Sequence, residues 1–344
     1  MEIVNTDPCC ELQTTSNLLK IRSIWKEIYD ANEKHGVFQE YFYNQCIWIQ
    51  QFLRSLGKKR YPLFAVIYEH GEPLLIAPLS VSWKRENQPM LFNEIQGCDV
   101  AEFIYRNNIT DEQLDACIDL LTNRFGTIKM TRFDTQSKIY RRYIERYPDI
   151  EQTFYPYVDI PFGNSHDDYL RSLSKSTRQN LRTSYNRLKS DGREFHFAVE
   201  GGRAFSLKEW SKFYFFYTDR QQEKYRKYKG IKKYTKMFTK HDCVSIRNSS
   251  SNFIATLYYE EKIAALLMGL VSRDGTRVVV PWLAIDGKLG RYSPGYQLVN
   301  ETIKYCMEHT QIRHLDLSRG DEGYKLTMGG RLYYTAYFEM KKRT

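Results

Sequence analysis

The residues most suited to chemistry stand in a short turn at 290–296, with the sequence Gly-Arg-Tyr-Ser-Pro-Gly-Tyr. Ser293 is a preferred residue just before a helix, and Pro294 suits the first helical position, where its missing N–H is no loss. Gly295 permits close approach to the backbone, and Arg291 adds positive charge. Because N–H groups at a helix N-terminus bind anions, the turn predicts either a pyrophosphate site or a well-capped surface helix without a ligand.

A second group of polar residues follows a short strand pattern at 314–318. Apolar and polar residues alternate along this pattern, and the chain then breaks at a glycine. Asp316, Arg319, Tyr324 and Lys325 stand close together in the sequence. Since loops at strand ends often carry sites, the segment predicts either a functional loop or a polar turn with a local Arg–Asp pair.

A basic stripe runs along a predicted helix at 167–190. Arg171, Lys175, Arg178 and Arg182 follow one another at steps of three or four residues, beside a stripe of apolar side chains. Such a stripe is suited to the phosphates of a nucleotide, a lipid carrier or a nucleic acid. It is equally typical of a solvated helix face.

The overall charge is strongly positive, and the sequence has no membrane-spanning pattern. A net charge of +10 and a pI near 9.1 favour a phosphate-bearing partner without naming it. The longest apolar run, 263–271, is far shorter than the roughly 20 residues that cross a bilayer. The N-terminus has no signal-peptide pattern, so we expect a cytoplasmic protein. Contact with a membrane would then be peripheral.

Several classes of activity lose support because their motifs are absent from the sequence. It contains no GxGxxG, GxxxxGK[ST], HExxH or GxSxG motif. The seven cysteines are scattered and include no CxxC pair, which argues against a zinc site. We therefore expect no metal. We also expect no specific nucleic-acid binding, because no recognition motif accompanies the charge.

The order of predicted elements repeats along the chain. Each half begins with helices, continues with a β-hairpin, at 63–83 and at 253–272, and ends with a helix and a strand. This repetition predicts an internal duplication and an α/β fold of two domains, 1–153 and 154–344, each a twisted mixed sheet flanked by helices. The other predicted elements are helices at 17–32, 38–56, 111–125, 207–225 and 294–309 and strands at 128–133, 278–285 and 314–318.

Three segments, taken in order, resemble the GNAT-fold acyltransferases typified by cellulose-biosynthesis acetyltransferase-like proteins. They are Ser176-Thr-Arg-Gln-Asn-Leu-Arg in the basic helix, the turn Tyr292-Ser-Pro-Gly, and Asp316-Leu-Ser-Arg-Gly-Asp-Glu-Gly-Tyr-Lys. Those proteins are often linked to bacterial polysaccharide production and are related to Fem-type aminoacyl transferases. The resemblance covers most of the chain and implies two tandem GNAT-like domains, with the acyl-donor site in the C-terminal one.

The resemblance implies acetyl-CoA or another acyl-CoA as co-substrate, bound where two strands diverge, with its pyrophosphate at the helix that begins near Ser293. The candidate donor-site residues are Leu283, Ala284, Ile285, Arg291, Tyr292, Ser293, Gly295 and Tyr296. The candidates on the acceptor side are Arg178, Arg182, Arg319 and Lys325. In the Fem relatives, a lysine in the place of Lys325 lies near a substrate phosphate.

The implied chemistry is direct attack of an amine, or less often a hydroxyl, on a thioester. A main-chain N–H within 283–285 is the candidate donor to the oxyanion. Asp316 is a candidate general base, directly or through water, and a pair with Arg319 or Arg178 is its alternative role. Tyr324 either protonates the leaving thiolate or packs.

The first functional hypothesis is an acyl-CoA-dependent N-acyltransferase, in the first place an acetyltransferase, of bacterial surface-polysaccharide biosynthesis. Its acceptor would be an amino sugar or a nucleotide- or lipid-linked sugar, a phosphate-bearing molecule that the basic helix could meet. One alternative is Fem-like transfer from aminoacyl-tRNA, and only this alternative implies tRNA as a partner. The other alternative is a GNAT-fold module that binds without catalysis.

Overall fold

The computed structural model describes residues 2–6, 10–55, 60–82, 85–92, 99–225 and 230–342. The chain divides into two units: unit 1 comprises Met1–Tyr155 and Tyr334–Thr344, and unit 2 comprises Pro156–Tyr333. The sequence pattern places the boundary between residues 153 and 154 and leaves the whole C-terminus in the second domain. In the structure the C-terminal segment belongs to unit 1, because its strand pairs with a strand of that unit.

Unit 1 is built around an antiparallel hairpin flanked by helices. Its strands are β1 (Glu2–Thr6), β2 (Cys10–Thr15), β3 (Arg60–Glu69), β4 (Glu72–Ser82), β5 (Arg85–Leu91), β6 (Ile104–Tyr105) and β7 (Thr127–Asp134). Its helices are α1 (Arg22–Asp30), α2 (Tyr41–Ser55), α3 (Asp111–Phe125) and α4 (Lys138–Arg146). The last strand of the chain, β14 (Arg331–Lys341), starts in unit 2 and ends in unit 1.

The strands of unit 1 follow the order β1-β2-β3-β4-β5-β7-β14, and β6 pairs with β4. The pairs are antiparallel except for β5 and β7, which run parallel. Apolar side chains of α3 and α4 pack with those of the strands in one core on one face of the sheet. On the other face Trp25 of α1 packs edge-on against Phe64 of β3, as the alternation of side chains along a strand requires.

Unit 2 repeats this plan with more helices. Its strands are β8 (Thr153–Pro161), which begins at the end of unit 1, β9 (Phe195–Gly201), β10 (Asn252–Tyr259), β11 (Lys262–Val271), β12 (Arg277–Ile285) and β13 (His314–Arg319). Its helices are α5 (His166–Ser172), α6 (Lys175–Ser190), α7 (Leu207–Tyr225), α8 (Ile231–Thr239), α9 (His241–Asn248), α10 (Pro294–His309) and α11 (Gly323–Thr327).

The strands of unit 2 follow the order β8-β13-β12-β11-β10-β9. All neighbours are antiparallel except β12 and β13, which are parallel. Helices α5, α6 and α10 share an apolar core with one face of the sheet. On the other face α7 packs its Trp210, Tyr214 and Tyr217 around Trp282 of β12, and Tyr217 stacks on that indole at 4.3 Å.

The predicted single helix at 167–190 is two helices, α5 and α6. Leu173 is extended, and the Ser174 side chain accepts a hydrogen bond of 3.1 Å from the Thr177 N–H. This is the geometry of a helix N-cap, which starts α6 and ends α5 before it. The apolar spacing alone concealed the break, because the two helices bury their apolar residues in the same core.

Local sequence signals predicted three helices, one in unit 1 and two in unit 2, with their observed bounds. The predicted helices at 207–225 and 294–309 have the bounds of α7 and α10, and 111–125 has those of α3. The ends of two predicted elements, Leu56 and Trp83, lie outside the described residues. No helix within the described part of the chain has both the length and the apolar character to cross a membrane.

Candidate acyl-donor site

The parallel strands β12 and β13 separate after a short stretch of pairing. Among residues 230–342, all of which the structure describes, their register comprises Arg277 with His314, Val278 with Leu315 and Val279 with Asp316. Beyond that point β12 continues to Ile285 with no partner on this side among the residues that the structure describes, while β11 stays paired along its other side. One edge of β12 therefore faces a gap, and Asp316 stands where the gap opens.

The hydrogen-bond pattern of β12 shows which main-chain groups face this gap. The Asp286 N–H donates to the Ala264 carbonyl at 2.8 Å, so this pair is of the hydrogen-bonded type. Bonded and non-bonded pairs alternate along an antiparallel ladder. Leu283 and Ile285 therefore direct their N–H and C=O groups away from β11 and into the gap, whereas Ala284 points toward β11.

Helix α10 begins at the open end of this gap and leaves its N-terminus uncapped. A 3-10 helix, Gly287–Tyr292, leads into Ser293, which occupies the N-cap position with φ 49° and ψ 54°. Within residues 230–342, the Ser293 side chain makes no capping hydrogen bond to α10, although the sequence predicted a good cap. The reason is its left-handed backbone, which differs from the extended conformation that normally aims an N-cap side chain at the helix.

Gly295 brings the start of α10 against the end of β12. A Cβ atom at this position would lie 3.3 Å from Cγ2 of Ile285, whose side chain is 39% exposed. Glycine thus keeps the first turn of α10 close to the strand end and leaves its main chain open. The turn is Pro-Gly-Tyr-Gln, so no carboxylate opposes an anion there.

Arg291 and Tyr292 hold the turn onto α6. The Tyr292 hydroxyl donates to Asp191 at 2.7 Å, and this hydrogen bond, followed by the Arg291 charge, lowers the pKa of Asp191. Arg291 lies 3.3 Å from the same carboxylate, and its carbonyl accepts a hydrogen bond from Arg187. Tyr292 is buried, so its phenol is a structural anchor, whereas the Arg291 side chain is still largely exposed.

Tyr296 and Tyr324 join α10 to α11. Their rings lie 6.5 Å apart, edge to face, and the Tyr296 hydroxyl is 3.1 Å from Oγ1 of Thr327. Burial raises the pKa of Tyr324 above its ordinary value. A phenol with a raised pKa stays protonated at neutral pH but gives up its proton less readily, and the protonation of a thiolate by Tyr324 stays a prediction.

Asp316 is buried at the vertex of the gap and is only 4% exposed. Its carboxylate accepts hydrogen bonds from the Tyr333 hydroxyl at 2.7 Å and from the Ser318 N–H at 2.8 Å. Arg277 lies 3.6 Å away. Burial raises the pKa of Asp316 to about 6, although the hydrogen bond from Tyr333 and the charge of Arg277 oppose the rise.

The partners of Asp316 differ from those that the sequence suggested. Arg277 also donates to Asp159 at 2.9 Å, and His314 lies 2.7 Å from the other oxygen of that carboxylate. These residues come from β8, β12 and β13, and Tyr333 comes from the start of β14. Strand periodicity places His314 and Asp316 on the same face of β13. Only the folded sheet brings Asp159, Arg277 and Tyr333 close to Asp316.

Lys325 is buried and surrounded by oxygen atoms. Its ammonium donates to the carbonyls of Leu317 at 3.0 Å, Arg319 at 2.8 Å and Gly320 at 3.1 Å, and it pairs with Glu322 at 2.9 Å. Lys325 thereby fastens α11 to the end of β13. Its predicted contact with a substrate phosphate stays a prediction, and a phosphate would have to compete with these four acceptors.

The other acceptor-side candidates lie on exposed surfaces of unit 2. Arg178, near the start of α6, donates to the carbonyls of Arg171 and Leu173 at the end of α5. Arg182, one turn further on, and Arg319, at the end of β13, are exposed. Arg178 therefore has a local structural role, and the exposed side chains of Arg182 and Arg319 are accessible to an anionic acceptor.

The residues at the end of β12 fit an acyl-CoA better than a metal ion. Within the described ranges, no group of three or more His, Cys, Asp or Glu side chains could hold a metal. The gap instead offers an unpaired strand edge, to which an extended chain with amide groups can add main-chain hydrogen bonds. The uncapped N-terminus of α10 lies next to it and suits a pyrophosphate.

Residues 175–326 match the family model described as the acetyltransferase (GNAT) domain. This match lies within unit 2 and includes α6, β12, the turn before α10, and β13. The part of unit 2 that contains the sequence motifs is therefore similar to a GNAT acetyltransferase domain. No curated protein shows significant sequence similarity to the chain.

Several solved structures share the fold at low sequence identity. FemX is 10% identical with a TM-score of 0.55, over 96% of this chain and 97% of its own. A conserved protein of unknown function from Bacteroides thetaiotaomicron is 13% identical with a TM-score of 0.53, over 96% of this chain and 100% of its own. L-PGS from Bacillus licheniformis is 13% identical with a TM-score of 0.52, over 96% of this chain and 93% of its own. The predicted α/β class, with mixed sheets flanked by helices, is confirmed.

Proposed function

We propose that unit 2 is an acyl-CoA-dependent N-acyltransferase, with acetyl-CoA as its first candidate donor. The observation that carries the proposal is the unpaired edge of β12, which ends beside the uncapped start of α10. The match of residues 175–326 to an acetyltransferase domain supports the same activity. An amine acceptor attached to a sugar, carried by a nucleotide or a lipid in surface-polysaccharide synthesis, is the finer part of the proposal and rests on the sequence motifs.

The donor would supply a thioester, and the main chain of β12 would position it. The outward N–H groups of Leu283 and Ile285 are available to stabilise negative charge on the thioester oxygen. Gly295 and the first turn of α10 would hold the pyrophosphate. Holding both reactants in register is worth roughly 7–11 kcal/mol of barrier at best, so positioning can supply much of the catalysis.

Asp316 is the proposed general base, directly or through water. Its pKa of about 6 leaves it mostly ionised at neutral pH and still able to take a proton from an attacking amine. Tyr333 keeps the carboxylate in place by its hydrogen bond. The exposed Arg182 and Arg319 would attract a phosphate-bearing acceptor.

A titration of the protein with acetyl-CoA, followed by calorimetry and thermal shift, tests the proposal. We expect binding by the native chain and at least a 100-fold loss in Gly295→Trp, because an indole would fill the space between α10 and Ile285. The matched control is Glu112→Trp, at the same helical position of α3 in unit 1, which should leave binding unchanged.

The outcomes separate the three candidate functions. Binding that survives Gly295→Trp would place the donor elsewhere and contradict the proposal. If neither CoA nor acetyl-CoA binds at millimolar concentration and a tRNA complex persists at moderate salt, Fem-like transfer from aminoacyl-tRNA becomes the better explanation. If no donor of either kind binds, the fold serves a non-catalytic role.

A further inference from the structure

Helix α8 presents a stripe of apolar side chains to solvent. Ile231 is 78% exposed, Tyr234 is 56% exposed and Phe238 is 54% exposed. Their spacing of three and four residues places them on one face of the helix. Single exposed apolar residues are ordinary, but a continuous apolar stripe on a helix marks a surface that contacts an apolar phase or a partner.

The opposite face of α8 is fixed to the body of unit 2. The Tyr214 hydroxyl of α7 donates to the Lys233 carbonyl at 2.6 Å, and Lys233 pairs with Asp219. Met237 is buried. The exposed stripe is therefore held in a defined orientation by α7 and is a surface of the folded unit.

The segment that contains α8 is strongly basic. Residues 223–240 include eight Lys or Arg residues and a single acidic residue, Glu223. Asp219 and Asp242 neutralise Lys233 and Lys240 in part, and the excess of positive charge is still large. The basic residues are Lys224, Arg226, Lys227, Lys229, Lys232, Lys233, Lys236 and Lys240.

We propose that α8 docks unit 2 on an anionic lipid surface. Helices that lie in the membrane interface combine an apolar face with a polar face rich in Lys and Arg, which is the composition found here. Anionic headgroups attract Lys and Arg side chains that lie near the membrane surface. Nucleic acid would use the charge, but it gives no reason for an isoleucine that is 78% exposed at the centre of the basic segment.

Helix α7, to which α8 is fixed, reaches the end of β12. Arg220, near the end of α7, lies 3.1 Å from Asp286, the residue that follows β12. If the proposed function holds, a docked protein would bring the open end of the β12 gap toward acceptors carried in the lipid surface, and this consequence alone rests on that function.

Co-sedimentation with vesicles tests the docking surface. We expect the protein to bind vesicles of phosphatidylcholine that contain about one third phosphatidylglycerol, and to bind pure phosphatidylcholine far less. The double variant Ile231→Ser with Phe238→Ser should lower binding to the anionic vesicles at least about tenfold, since it removes two apolar side chains from the contact. Leu207→Ser, at an exposed apolar position on α7, is the matched control and should bind as the native chain does.

Three results would overturn the proposal. They are failure of the native chain to bind anionic vesicles, unchanged binding in the double variant, and equal loss in the Leu207→Ser control. Binding to tRNA in place of vesicles would assign α8 to nucleic acid.

If the double variant melts at a lower temperature than the native chain, the vesicle measurement is repeated with the single variant Phe238→Ser. Acetyl-CoA binding, measured on the same samples, should be unaffected, so failure of the donor site and failure of the docking helix are distinguishable.

Discussion

Helices α3 and α10 occupy the same place in their units and differ at their N-termini. Each follows the hairpin and the next strand, and each leads into a strand that pairs in parallel. In α3, Thr110 and Gln113 form a reciprocal capping box, and Asp111 and Glu112 fill the first turn. In α10 the cap residue makes no side-chain bond to the helix, within a segment that the structure describes in full.

The surroundings strengthen this contrast. The start of α3 lines a pocket together with Glu69 and Glu72, and Gln113 donates to Glu69. Arg106 in the same pocket is paired with Glu27 and Glu72. At the start of α3, carboxylates repel a phosphate, and side chains already accept the hydrogen bonds of N–H groups. At the start of α10, main-chain N–H groups beside Gly295 are available to a phosphate. The two units thus share a fold, and side chains at one helix terminus decide which of them suits an anionic donor.

The strands that follow these helices differ as well. At the parallel pairing with the preceding strand, β13 carries Asp316, whereas β7 carries Lys129, paired with Met90. The carboxylate in unit 2 is buried and has a raised pKa. A candidate proton acceptor at this point is therefore a property of unit 2.

The largest effect should come from removing this carboxylate. We expect Asp316→Asn to lower kcat for acetyl transfer by about 100-fold, because general acid–base catalysis commonly contributes 10²–10⁴. In the native chain kcat/KM should rise with pH through a midpoint near 6, where Asp316 loses its proton, and this limb should vanish in the variant. A pH–rate profile with a fixed amine acceptor measures both effects.

Two controls accompany that profile. Tyr333→Phe removes a hydrogen bond that lowers the pKa of Asp316, so the midpoint should move to higher pH. Lys129→Gln, at the corresponding place in unit 1, should change nothing. An unshifted limb in both Asp316→Asn and Tyr333→Phe would exclude Asp316 as the base.

A smaller effect should follow from giving α10 the acidic first turn of α3. Gly295→Asp places a carboxylate where α3 has Glu112, and we expect acetyl-CoA binding to weaken about tenfold or more through repulsion of the pyrophosphate. Gly295→Ala tests the steric part alone. The added Cβ would lie 3.3 Å from the side chain of Ile285, which is partly exposed and can shift. The loss of acetyl-CoA binding should therefore be clearly smaller than in Gly295→Asp. Equal losses in the two variants, measured by calorimetry, would show that charge is irrelevant there.

The smallest effect concerns stability and tests the capping contrast directly. Thr110→Ala should lower the free energy of unfolding by about 1 kcal/mol, because the Thr110 hydroxyl accepts the Gln113 N–H at 3.2 Å. Ser293→Ala should change it by less than about half of that, since no capping bond is lost within the described segment. Urea unfolding of both variants makes the comparison. A cost for Ser293→Ala as large as that for Thr110→Ala would contradict the uncapped geometry of α10.

Local signals in the sequence were sufficient for the elements that frame the site. Pro294 at the first helical position and the apolar period behind it fixed α10 to its observed bounds. The alternation around Asp316 likewise placed β13. These predictions succeeded because capping and periodicity depend on residues only a few positions apart.

The break between α5 and α6 shows where local reasoning was incomplete. The Ser174 cap was visible in the sequence, but the apolar residues on both sides favoured one continuous helix. Similarly, β1, β2, β9 and β14 were not predicted. β14, for example, pairs with β7, which lies about 200 residues earlier in the chain, and pairing between such distant residues leaves little local periodic signal.

By itself the sequence determined the α/β class, the turn at 290–296 and the candidate residues on either side of it. Only the tertiary structure decided what those residues do. Lys325 fastens α11 to the end of β13 because three main-chain carbonyls there accept hydrogen bonds from its ammonium. Asp316 is a buried carboxyl whose neighbours Asp159, Arg277 and Tyr333 come from β8, β12 and β14. Burial and hydrogen bonding set the pKa of a side chain and its freedom to act, and both arise from contacts between residues far apart in the chain.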